Sequence, residues 1–101
     1  MDTKTLLADA KARFNHNSAK AYLEEKYTAK LIVAAQGGLW KADTETISFL
    51  SSFDTETLVL IDTFNNPVEV NRAELLKTLR LAYIEATMQW YAEWKALESN
   101  R

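Results

Sequence analysis

Apolar positions set the rhythm of this chain, and the rhythm changes along it. Over residues 2–14, Leu6, Leu7, Ala10 and Phe14 recur at helical spacing, with Lys4, Lys11 and Arg13 elsewhere on the wheel. The run Asn15-His16-Asn17-Ser18 interrupts this helix with short polar side chains that compete for backbone hydrogen bonds. Ser18 is placed to cap a second helix from Ala19 to about Lys26, and the pattern fits either a break or one kinked helix. From 27 to 35 the period shortens. Tyr27, Ala29, Leu31, Val33 and Ala35 alternate with Thr28, Lys30, Ile32 and Ala34, which predicts a strand. Gly37-Gly38 then reads as a two-residue primed turn with positive φ at both glycines. That turn sets Ala35 opposite Trp40 and Val33 opposite Ala42, with the second arm at 39–42.

Residues 43–53 support two readings. Asp43 or Thr44 caps a short helix carrying Ile47, Leu50 and Phe53, or Ile47, Phe49, Ser51 and Phe53 alternate as a strand. The helix is preferred because Asp43-Thr44-Glu45 resembles a helix start. Residues 57–64 follow, and Leu58–Ile61 is apolar on both faces, which predicts a central strand. Asn65-Asn66-Pro67 turns the chain. Pro67 has no N–H, so the loop should be longer than a tight two-residue turn before Val68–Val70 pairs back.

The last element is the most clearly marked. Asn71 and Glu74 form a relative of the capping box, and Val70 is set to pack on Leu75 as a hydrophobic staple. Arg72 to about Glu98 contains no Gly or Pro, which is on the order of 40 Å of helix. Leu76, Leu79, Tyr83, Ala86, Trp90, Trp94 and Leu97 make one apolar stripe; Leu81, Ile84, Met88 and Tyr91 make a second, rotated by roughly a third of a turn. One stripe suffices to cover a sheet. The surplus predicts a homo-oligomer interface at Leu81, Ile84, Met88, Trp90, Tyr91 and Trp94.

Composition narrows the functional classes. With 101 residues the chain is expected to form one domain spanning 1–101. There is no cysteine, which removes disulfides, thiolate metal sites and cysteine nucleophiles. His16 is the single histidine and has no spaced partner, so it reads as a surface or capping residue. Net charge is −2, the wrong sign for a dedicated nucleic-acid binder. The charge is also segregated: residues 31–71 hold six acids against one base, Lys41. No run has the length and apolarity of a signal peptide or a membrane span, so the expected setting is cytoplasmic.

The remaining candidate chemistry is sparse. In a hairpin symmetric about Asn65-Asn66, Asp62 and Glu69 face each other and would form a cation site or a coupled acid pair; a shifted register or simple solvation of both is the alternative. Gly37-Gly38 lacks the continuation of a phosphate loop. Lys26, Lys30 and Lys41 fall near the first hairpin and read as a solvated face rather than an anion site. No catalytic, cofactor-binding or metal-ligating residue is assigned, and the chain reads as a non-enzymatic interaction or assembly module. A nucleic-acid or small-ligand binding module is the competing reading, resting on the helix aromatics and local lysines and opposed by the acidic sheet.

Residues 34–43 (Ala-Ala-Gln-Gly-Gly-Leu-Trp-Lys-Ala-Asp) and 60–76 (Leu-Ile-Asp-Thr-Phe-Asn-Asn-Pro-Val-Glu-Val-Asn-Arg-Ala-Glu-Leu-Leu) resemble small uncharacterised proteins of marine T4-like phages. That resemblance implies a phage-encoded protein in a host cytoplasm and assigns no activity. The expected fold is α+β: an N-terminal helical segment, a small mostly antiparallel sheet and a long C-terminal helix. An Sm-like bent small barrel with added helices is the alternative.

Overall fold

The computed structural model describes residues 3–99, with side chains from Asn15 onward. The order is α1 (Thr3–Lys30), β1 (Ile32–Ala35), β2 (Gly38–Lys41), α2 (Thr44–Ser51), β3 (Thr57–Ile61), β4 (Pro67–Asn71) and α3 (Arg72–Ser99). The fold is thus α+β, as the pattern predicted. Its strands form two separate antiparallel pairs, β1-β2 and β3-β4, rather than the single sheet or the bent barrel.

The N-terminal helix is continuous through Asn15–Ser18 and extends to Lys30, so Tyr27–Lys30 are helical and not strand. The reason is tertiary. Leu23 and Tyr27 lie four residues apart on one helix face and are buried with Ala86 of α3, and the Tyr27 ring stacks on Trp90 at 6.1 Å. His16, within the interrupting run, is held to Glu98 at 3.2 Å. Lys26–Glu93 and Lys30–Gln89 contacts further along show that α1 and α3 run antiparallel. The face read on Leu6, Leu7, Ala10 and Phe14 lies outside the described side chains.

The first hairpin turns one residue earlier than its glycines suggested. The turn residues are Gln36 (φ 49°) and Gly37 (φ 80°), and Ala35 pairs with Gly38. Val33 therefore faces Trp40 and Ile32 faces Lys41, in place of the Ala35–Trp40 and Val33–Ala42 pairs. Both central φ values are positive, as a primed turn requires. Gly38 is needed for a different reason: a Cβ there would sit 2.5 Å from Cζ2 of Trp40, whose indole N–H donates to the Ala35 carbonyl at 2.8 Å. Gln36 is a non-glycine residue in left-handed backbone. Its amide is in turn bound to both the N–H (2.6 Å) and the C=O (3.1 Å) of Asn71, as a strand peptide would be.

Asp43 caps α2, accepting from the Thr46 N–H at 2.8 Å. Arg72 closes the other end of α2 by donating to the Leu50 carbonyl at 3.2 Å. At α3, Asn71 accepts from the Glu74 N–H at 3.0 Å, and Val70 and Leu75 are buried in one cluster as the staple requires. That cluster joins Trp40, Ala42, Leu50, Leu76 and Leu79, so α2, both hairpins and the first half of α3 share a core. The second half of α3 packs on α1.

Candidate interaction surfaces

Helix α3 is covered along one side, by the shared core in its first half and by α1 in its second, and bare on another. Leu75, Leu76 and Leu79 enter the core under the hairpins, and Ala86 enters the α1 contact. Leu81, Ile84, Met88 and Tyr91 stand outside both, each more than half exposed. Their 3-4-3 spacing keeps them in one line along the helix. Trp94 continues the line and stacks on Tyr91 at 6.1 Å, while Lys95 lies 5.4 Å from the Tyr91 ring. Trp90 does not join this line: it is turned into the chain against Tyr27 and partly buried. Five of the six residues read as an interface thus form a continuous exposed stripe, and the sixth belongs to the internal α1–α3 contact.

That internal contact carries the fold's main electrostatics. Lys26 donates to Glu93 at 2.9 Å, and this bond holds the Lys26 ammonium above and the Glu93 carboxyl below their ordinary pKa. Burial pushes the Tyr27 phenol up, and Glu93 adds to it. Lys26 and Lys30 also lie over the Tyr27 ring at 5.2 and 4.8 Å. The lysines therefore pack against α3 and do not assemble with Lys41, which is exposed on β2.

Asp62 and Glu69 do not meet. The β3-β4 register pairs Val59 with Glu69. Asp62 is buried in the following loop, where its carboxylate accepts from the N–H groups of Asn66 and Phe64, both at 3.0 Å, and of Leu39 at 3.2 Å. The Asn66 N–H leads in holding its pKa below the ordinary value. Leu39 also accepts from the Thr63 N–H at 3.0 Å, so this loop ties the second hairpin to the first. Asp62 is a structural clamp rather than half of an acid pair. Among the described residues, no three His, Asp or Glu side chains converge as a metal site.

The structure has a second exposed apolar surface, not predicted from the sequence. Val59 and Ile61 of β3, Phe49 of α2 and Phe64 are all exposed; β3 is covered on one face only and has a single strand neighbour, so it is not the central strand expected. The signal was in β4. Its alternate residues Pro67, Glu69 and Asn71 are solvent-face types, and they share a face with the β3 residues opposite them, Ile61, Val59 and Thr57.

Among the described residues no helix is long and apolar enough to cross a membrane. Comparison of the chain with protein-family models, curated proteins and solved structures finds no match.

Proposed function

We propose that this chain is a non-enzymatic assembly module that self-associates through α3. The observation that carries the reading is the exposed stripe Leu81-Ile84-Met88-Tyr91-Trp94 on a helix whose core-facing side is already covered along its length. At roughly 200 Å² per large side chain, the exposed part of these five comes to about 550 Å². A two-fold contact would bury about 1,100 Å² across both chains, near the lower bound for a specific interface. The stripe is self-complementary in kind, with aliphatic, Met and aromatic groups that are favoured in interface cores. A phage setting, as the sequence resemblance implies, is compatible with such a role.

Light scattering on the purified chain tests this. The wild type should show a mass above that of one 11.5 kDa chain at micromolar concentrations. Met88→Glu with Trp94→Glu should give a folded monomer, since neither side chain enters the cores of the chain. A wild type that stays monomeric at high micromolar concentration rejects the proposal.

A further inference from the structure

The free edge of β3 has backbone groups, a groove and a charge pattern that fit one kind of partner. Arg72 N–H donates to the Glu56 carbonyl and Asp62 N–H to the Asn66 carbonyl, at 2.9 and 3.0 Å. With the register of β3 on β4, these place the ladder bonds at the even positions of β3. The N–H and C=O groups of Thr57, Val59 and Ile61 therefore point to the opposite edge. Three neighbours obey the same parity. Pro67 sits opposite Ile61, where no ladder N–H is needed; Asn71 uses its outward groups on Gln36; and Thr63 uses its outward N–H on Leu39. Among the described residues nothing pairs with the outward groups of Val59 or Ile61.

Within the strand itself, this edge lacks the usual protections. The strand is Thr-Leu-Val-Leu-Ile, with no charge, proline or bulge. It borders an open groove of about 510 Å³, walled by α2 through Glu45 and Phe49 and floored by Trp40 and Leu50. No lysine or arginine lines the groove, Glu45 stands on one wall, and Glu69 lies on the outer face beside Val59.

We propose that this groove binds an extended segment of a partner protein, with alternating basic and apolar residues, added as a strand to β3. Five residues of such a segment span about 17 Å and match the three outward positions. Side chains of one parity point, like Leu60, to the core side above Trp40 and Leu50, and are apolar. Those of the other parity lie on the face of Val59, Ile61 and Glu69. There lysine stems cover the aliphatic groups and the ammonium groups reach Glu69 and Glu45. The net −5 of residues 31–71 selects a cationic segment over an anionic one.

Fluorescence anisotropy with a labelled, end-capped heptapeptide of alternating lysine and valine tests the proposal. The intact chain should bind it saturably with Kd below about 1 mM, and at least about tenfold more tightly than a glutamate–valine peptide. Val59→Pro removes an outward N–H that β4 does not use, and should weaken binding about tenfold or more. If that variant does not fold, the same loss should come from N-methylating the central valine and the lysine beside it together, because the peptide N–H that meets the outward groups of β3 belongs to a lysine in an antiparallel strand and to a valine in a parallel one. Glu45→Gln with Glu69→Gln should weaken binding and flatten its salt dependence. Absence of saturable binding, equal affinity for the glutamate peptide, or insensitivity to both backbone blocks overturns the proposal. So does strong hydrogen-exchange protection of the Val59 and Ile61 amides in the free protein, which would mean that a second copy already occupies the edge. None of these readouts depends on the α3 stripe.

Discussion

Gly37 and Gly38 are neighbours in sequence and unlike in cause. Gly37 has φ 80° and open space around it, so its constraint is backbone conformation. Gly38 has ordinary backbone, but the Trp40 indole occupies the place of its Cβ. Gly37→Ala should cost about 1–2 kcal/mol through left-handed strain, and Gly38→Ala about 1–3 kcal/mol through overpacking. Only the second should alter the near-ultraviolet circular dichroism of Trp40. Equal spectra for both variants would contradict the distinction. Asp62 makes a second residue-scale prediction. Its folded pKa is depressed, so its stabilisation is complete above the unfolded-state value near 4 and is lost as pH falls through that value to the folded one. Asp43 contributes with the same sign: burial raises its pKa, but the hydrogen bonds from Thr46, the charge of Lys41 and its own backbone N–H together leave it lowered. Asp62→Asn should lower Tm at pH 7 and make Tm fall less steeply between about pH 5 and pH 3. A pH profile parallel to that of the wild type would remove Asp62 from the acid response.

At the scale of elements, caps and periodicity set where helices start, and long-range contacts set where they stop. The α3 start follows from Asn71, whose side chain takes the Glu74 N–H while its backbone holds Gln36. Asn71→Ala should lower stability by about 1 kcal/mol in denaturant titrations, because the cap is lost and the backbone contact with Gln36 is kept. An unchanged midpoint would mean that the cap bond contributes nothing in solution. The end of α1 lies at Lys30, where the alternation predicts a strand, for a physical reason. Tyr27, Ala29 and Leu31 alternate as a strand would, but Leu23 and Tyr27 also fit one helix face. Tyr27 against Trp90 and Ala86 decides between the two periods, and a local pattern does not contain that contact. The strand β3 shows the converse. Its apolar run implied burial on both faces, yet only Leu58 and Leu60 turn inward to the core.

For the whole molecule, the chain extends over 66 × 25 × 20 Å, with a mixed core at the hairpins and a helical pair beyond them. That shape divides the aromatic residues of α3 into two roles. Trp90→Ala should reduce stability by roughly 2–3 kcal/mol, somewhat under the range for fully buried aromatics, while leaving any association intact once the chain is folded. Met88→Ala should do the reverse: little change in the melt, and weaker association by sedimentation. If both substitutions act on stability alone, the exposed stripe has no role as an interface.

What the sequence by itself determined is what local chemistry controls. The α+β class, the α2 and α3 starts at Asp43 and Asn71, the longer loop before the returning strand, and the faces of the first hairpin are all set by caps, breakers and alternation within a few residues. The exposed line Leu81-Ile84-Met88-Tyr91 was also legible, because helical geometry separates it from Leu76 and Leu79 whatever the partner. Tertiary structure decided the rest. Trp90 turned inward because α1 extends far enough to present Tyr27 to it. The turn moved to Gln36-Gly37 because the Trp40 ring covers Gly38 and the Gln36 amide finds Asn71. Asp62 became a clamp because the chain reaches from one hairpin to the other at Leu39. Each of these outcomes depends on groups more than twenty residues apart or on a ring folding back over its own strand, and a pattern of neighbouring positions carries no information about either.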